Sequence, residues 1–249
     1  MKSVRLATLF ALFSLPILAF AYNPPVKNIV LVHGAFADGS GWKAVYEILT
    51  KKGYHVSIVQ NPLTSLKDDV AATNSVIDAQ DGPVILVGHS WGGTVITEAG
   101  VNPKVAGLVY ISAFVPDKDE SAGKWVAAAP MAPEAGLTKP DQYGFVYFDP
   151  AKFHGGFAAD LSQTESDFLC TAQIPIIAKC FDETVEQAAW KTKPSFGIVA
   201  TEDKALAPAT ERAMYERAHA TITEIKASHL SYMSHPDAVA KVIMAAAEQ

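Results

Sequence analysis

The apolar run Pro83–Val87 passes directly into Gly88-His89-Ser90-Trp91-Gly92-Gly93, and helical spacing begins at Trp91. Few folds accept so abrupt a junction between a strand and a helix. A serine at its apex must leave the ordinary backbone regions. Side chains at 88 and 92 would collide with the turn, which accounts for the glycines at those positions. The junction predicts a buried strand feeding a helix, with the Ser90 hydroxyl at the head of that helix. There the N-terminal dipole favours developing negative charge. A bare G-x-S-x-G recurs by chance, but one framed by a strand and a helix is far more specific.

The rest of the chain repeats the same alternation. Strand-like runs fall at Asn28–Val32, His55–Val59, Pro83–Val87, Val105–Phe114, Pro194–Ala200 and Thr221–Ala227. Helical spacing falls at 41–52, Asp68–Ala79, Trp91–Gly100, Pro208–Ala218 and Pro236–Ala247. In the first helix Trp42, Val45, Ile48 and Leu49 share one face, and Gly53 stops it. Alternation of this kind predicts an α/β fold, a mainly parallel sheet of about six strands flanked by helices. The rhythm lapses between about 118 and 190, a stretch rich in Ala, Pro, Gly and aromatics, which reads as an insertion after one strand. One domain over 22–249 is sufficient for this length.

A lone serine is a weak nucleophile and needs a base. Of the seven histidines, His229 follows the last predicted strand in Ala-Ser-His-Leu-Ser-Tyr-Met-Ser-His-Pro. A loop at that sheet edge can reach Ser90. His235 is the rival, but it directly precedes Pro236 at the start of the final helix and reads as a residue of the helix cap. His33 and His89 sit in tight turns and read as structural. His55, His154 and His219 read as surface or packing residues. The base in turn needs an acid that holds its tautomer. Glu202 and Asp203 compete for that place in Val199–Pro208; Asp203 is preferred, and Asp117 is a remote third. The order serine, acid, histidine suits the predicted fold. Two backbone amides must also hold the developing oxyanion. Trp91 supplies one; Ala35, with Phe36 as second choice, supplies the other from the turn after the first strand.

With these residues in place, the chain resembles the α/β-hydrolase superfamily. The likeness rests on His33-Gly34, the turn at 88–92, Ala200-Thr201-Glu202-Asp203 with Pro208, and His229 with Pro236. It extends over nearly all of 28–249. Sheet signals start at the strand before His33-Gly34, which resembles a compact branch holding plant methylesterases, hydroxynitrile lyases and small bacterial serine esterases. That branch places its acid five residues before a proline, as Asp203 stands to Pro208, which supports Asp203 over Glu202. Its lyases are alike in carrying Lys after the catalytic histidine and Thr in place of the glycine of His-Gly. Here those positions are Leu230 and Gly34. The resemblance therefore implies a carboxylic ester hydrolase working through an acyl-enzyme, with no metal and no organic cofactor, on a small-molecule ester. A cyanohydrin-type lyase and a non-catalytic ligand-binding protein of the same fold are the alternatives. The insertion fits the family's cap over the site, and Phe36, Trp125, Met131, Phe145, Tyr147, Phe153 and Phe157 are its expected pocket residues.

The N-terminus bears on compartment. Lys2 and Arg5 precede an apolar run from Leu6 to Ala21, broken by Thr8, Ser14 and Pro16 and ending in Ala19-Phe20-Ala21. That is the pattern of a secretory signal peptide over 1–21. The run falls short of the roughly 20 apolar residues of a membrane span. Tyr22, rather than Cys, follows the cleavage position, so no lipoprotein anchor is expected. The mature chain is expected in the periplasm or outside the cell, without membrane association. In an oxidising compartment Cys170 and Cys180 predict one disulfide, stabilising by about 2–3 kcal/mol. Neither cysteine lies in a C-x-x-C, so zinc and redox chemistry are not expected. The net charge of −6 comes without any basic run, so nothing points to nucleic acid.

Overall fold

The computed structural model describes residues 25–249; the segment read as a signal peptide, 1–21, lies outside the described residues. Six strands form one parallel sheet: β1 (Asn28–Val32), β2 (His55–Val59), β3 (Val84–His89), β4 (Val105–Ile111), β7 (Ser195–Ala200) and β8 (Thr221–Ile225). Their order is β2-β1-β3-β4-β7-β8. Parallel registers such as Val30↔Leu86 and Gly88↔Tyr110 run through the centre. β1, β3 and β7 are buried at every residue, whereas the edge strands β2 and β8 are half-exposed. This explains why the central strands read as continuous apolar runs: both their faces are covered.

Helices α1 (Lys43–Lys51), α2 (Leu66–Asp78) and α3 (Trp91–Ala99) join the first four strands. β1 lies between β2 and β3, so the chain leaves β1 in one direction and returns past it in the other. Right-handed crossovers then place α1 and α2 on opposite faces. The carboxyl ends of β1 and β3 flank that reversal, which is where an open α/β sheet leaves a crevice. Several boundaries differ from those expected. α2 begins at Leu66 because the Ser65 side chain accepts from the Asp68 amide and caps it. β4 stops at Ile111 because Ser112 turns into the left-handed region at φ 44°.

Between β4 and β7 the chain forms α4 (Ala122–Val126), β5 (Phe145–Val146), α5 (Phe153–Phe157), α6 (Gln163–Ala172) and β6 (Ile176–Ile177). β5 and β6 pair antiparallel, Phe145 opposite Ile177. The core of this region is aromatic: the Phe148 ring lies 5.8 Å from Phe153 and 4.9 Å from Phe157. The chain then returns to the sheet and finishes with α7 (Pro208–Arg217), the single turn α8 (Ser231–Ser234) and α9 (Pro236–Ala247).

The expected disulfide does not form; Cys170 and Cys180 are both free thiols. Cys170 is half-buried near the end of α6, its Sγ 3.8 Å from the Gln173 amide. Cys180 is buried in the turn Ala178–Asp182, its Sγ 3.8 Å from the Leu63 carbonyl. The two sulfurs are therefore committed to different neighbours, and Gln173 is itself bonded to Phe148. Burial pushes the Cys180 thiol up to about 12. The insertion is fastened by other means. Arg217 of α7 donates to both carboxylate oxygens of Glu120, at 2.9 and 2.8 Å, and to the Val115 carbonyl at 2.7 Å. At the far end Asp160 accepts from the Ser228 amide at 2.9 Å, from the Ser228 hydroxyl, and from the Ser234 hydroxyl at 2.8 Å.

Candidate active site

Ser90 stands between β3 and α3 at φ 52°, ψ −120°, a conformation a side chain rarely adopts. Its neighbours hold it there. Its amide donates to the Ile111 carbonyl at 3.1 Å, and its carbonyl accepts from Gly93 and Phe114 at 2.9 and 3.2 Å. A Cβ on residue 88 would lie 2.5 Å from the Gly92 carbonyl oxygen, and one on residue 92 would lie 2.6 Å from that of Val32. The two glycines are thus required for space.

His229 is 2% exposed. Its Nδ1 lies 2.5 Å from Asp203 Oδ2, while Asp203 Oδ1 accepts from the amides of Ala205 and Leu206 at 2.7 and 2.9 Å. With Nδ1 engaged by the acid, Nε2 is the ring nitrogen left to exchange a proton. His229 and Ser90 line the same cavity of about 60 Å³. The competing acids point elsewhere: Glu202 pairs with Lys226 at 3.5 Å and Asp117 with Lys191 at 2.5 Å. The rival base His235 precedes α9, its Nδ1 2.9 Å from the Ser234 hydroxyl.

His89 and His33 brace this arrangement. His89 Nε2 donates to the His229 carbonyl at 3.0 Å, and the two rings lie 4.8 Å apart. Burial, with His229 alongside, holds His89 well below the ordinary histidine value, so it is neutral. His33 Nδ1 donates to the Gly34 carbonyl at 2.8 Å, and its Nε2 accepts from the Asn61 amide at 2.9 Å. Burial lowers His33 as well.

Trp91 is the first residue of α3, where an amide has no acceptor within its own helix. Ala35 lines the cavity. The amide of Phe36, the second choice for an oxyanion donor, is already engaged: it donates to the Ile174 carbonyl at 3.0 Å. The Trp91 indole donates to Asp69 Oδ2 at 2.7 Å, and Asp69 Oδ1 accepts from the Leu63 amide at 2.8 Å. Burial raises Asp69 to about 6 despite those two donors. Sequence reading missed this support, since an aspartate on a polar helical face gives no sign of it.

Of the expected pocket residues, Phe36, Met131 and Phe157 line the cavity. Trp125 instead lines a neighbouring cavity of about 210 Å³, which shares Met131 and Leu206 with the first. Phe153 packs behind the lining, 5.1 Å from Phe157. Phe145 and Tyr147 are not brought to it. Alternation along this extended stretch buries Val146 and Phe148 and leaves residues 145 and 147 half-exposed. Phe148 is the lining aromatic that was missed, with Phe114 and Phe181. The period-2 pattern from 145 to 148 was the available signal.

Residues 29–242 match the alpha/beta hydrolase family. A carbendazim hydrolyzing esterase of Nocardioides sp. (strain SG-4G) is 32% identical over 179 residues, which is 66% of this chain and 66% of that protein. A pyrethroid hydrolase of Sphingobium wenxiniae is 26% identical over 88% of this chain and 86% of its own. Among solved structures, a pyrethroid hydrolase from Sphingobium faniae JZ-2 superposes with a TM-score of 0.76 at 23% identity, covering 90% of this chain and 98% of that one. Polyneuridine aldehyde esterase gives 0.76 at 19% identity, covering 88% and 98%. The family match takes in all six strands of the main sheet but for Asn28, together with Ser90, Asp203 and His229, and by it the chain belongs to the alpha/beta hydrolase family.

Proposed function

We propose that the chain hydrolyses neutral, largely apolar carboxylic esters through an acyl-enzyme on Ser90. The family and its esterase-named relatives support ester hydrolysis. The observation that carries the finer reading is that His229, bonded to Asp203 at 2.5 Å, lines one cavity with a serine held at positive φ. In this reading Ser90 attacks the carbonyl carbon while His229 Nε2 takes its proton. The Ala35 and Trp91 amides hold the oxyanion. His229 returns the proton to the leaving alkoxide, and water then repeats the sequence to free the acid. Asp203 keeps Nδ1 protonated and stabilises the imidazolium.

The substrate class follows from the lining. Around Ser90 and His229 it is made by Phe36, Phe114, Phe148, Phe157, Phe181 and other uncharged residues. A charged substituent would lose its water there without gaining a partner. The names of the relatives, which specify carbendazim and pyrethroids, are consistent with that choice. A panel of p-nitrophenyl esters tests it. Neutral acyl chains should exceed carboxylate-bearing chains of equal length by about tenfold or more in kcat/KM. Equal rates for the two would reject the substrate class.

The compartment is a second part of the proposal, supported by Lys2, Arg5 and the run ending in Ala19-Phe20-Ala21. Export with cleavage after Ala21 predicts a mature N-terminus at Tyr22, read by N-terminal sequencing of the secreted or periplasmic protein. A cytosolic protein that retains Met1 or Lys2 would contradict it.

A further inference from the structure

Behind the acid of the site lies a second carboxyl group that the reaction above does not use. Glu211 sits in the first turn of α7 with no exposed surface. Its Oε2 accepts from the Ala200 amide at 3.1 Å, at the end of β7. Its Oε1 is buried with no donor directed at it. Asp203 is fastened to the same residue, its amide donating to the Ala200 carbonyl at 3.1 Å, which sets the two carboxyl groups side by side within reach of a hydrogen bond. Two ionised carboxylates are both acceptors and cannot bond each other; one must carry a proton.

The surroundings decide which one. Asp203 is met by three donors, the amides of Ala205 and Leu206 and the ring of His229, and each favours its charge. Glu211 is met by one. One cation stands near the pair, and it is engaged elsewhere. Arg212, the adjacent residue, turns to Glu224 at 2.5 Å with its side chain 37% exposed, and its pull on Glu211 is smaller than the push of burial and of Asp203. The other titratable neighbour is Tyr215, one turn further along α7, whose hydroxyl accepts from the Ala113 amide at 2.8 Å. We propose that Glu211 is held as the neutral acid and donates its proton in a hydrogen bond to Asp203, so that it acts as a positioning residue behind the base. Burial, and then the charge on Asp203, push Glu211 well above the ordinary carboxylate range, which is consistent with that assignment. The otherwise unpartnered Oε1 gains a role, and His229 faces one negative charge instead of two. The inference rests on the reading of Asp203 and His229 given above.

E211Q and Glu211→Leu test it. Glutamine can accept from Ala200 and donate to Asp203, so it should rescue what leucine removes. Expected for E211Q is kcat within about threefold of wild type and an acid limb of the kcat/KM profile within about 0.3 of a pH unit of it. Expected for Glu211→Leu is a fall in kcat of about tenfold or more with KM little changed. If Glu211 were ionised, E211Q would remove a negative charge near His229, and the acid limb would drop by about one pH unit or more. That result would overturn the proposal. So would insoluble E211Q, because the amide preserves both bonds, or a Glu211→Leu variant that turns over like wild type. A readout independent of turnover is the infrared band of a buried protonated carboxyl near neutral pH, present in wild type and absent from E211Q. Its absence from wild type would end the assignment. A wild type showing the band but no esterase activity would instead reject the reaction and leave the protonated carboxyl standing.

Discussion

Space at single positions shapes the backbone at Ser90. Ser90 keeps its positive φ because Gly88 and Gly92 let the turn close to contact distance, and Ile111, Gly93 and Phe114 then bond its backbone. Gly88→Ala should therefore cost about 3 kcal/mol or more, since the obstructing atom is backbone that cannot swing aside. Urea unfolding measures this, and a loss under about 0.5 kcal/mol would show that the turn has slack. This part of the site was legible because its residues are chain neighbours. Asp203 and His229 were legible as candidates, each standing just past a strand. Asp69, Asp160 and Glu211 were not. Asp69 meets the indole of Trp91 and Asp160 meets Ser228, contacts that only the folded chain creates. The bond from the Phe36 amide to the Ile174 carbonyl was hidden for the same reason, because Ile174 lies far along the chain.

At the scale of elements, periodicity located every strand of the main sheet. It failed in the insertion, whose pieces are strands of two residues and helices mostly of five, too short to show a period. That region is tied to the sheet by polar contacts, and Glu120 is the main one. Burial pulls the Glu120 carboxyl up, but the Asp117 amide, Lys124, Arg217 and Trp125 together outweigh it and hold the group at about 2. Its folded value is thus depressed below the ordinary 4.5. The stabilisation is complete above that ordinary value and is lost as pH falls toward 2. With the side chain 14% exposed, the contribution after allowance for solvent screening is about 1–2 kcal/mol. Glu120→Gln should lower unfolding free energy by that amount at neutral pH, and by less than half of it near pH 3. A deficit that stays constant across this range would mean that the charge of Glu120 contributes nothing.

Across the whole molecule, one topological reversal organises the chemistry. β1 is followed by the His33–Phe36 turn and β3 by Ser90, side by side where the crossovers change direction. The loops after β7 and β8 bring Asp203 and His229 to the same edge. The fold class was readable because a parallel sheet writes itself as alternating strand and helix signals. The disulfide was misread because an even cysteine count says nothing about where the thiols face. The proposed reaction depends above all on Ser90, activated by His229, as the nucleophile. The most direct measurement is mass mapping of the adduct formed with a fluorophosphonate. A single adduct on Ser90 is expected, none in Ser90→Ala, and labelling slowed by about 10³-fold or more in His229→Ala. An adduct on another residue, or Ser90 labelling at an undiminished rate without His229, would contradict it.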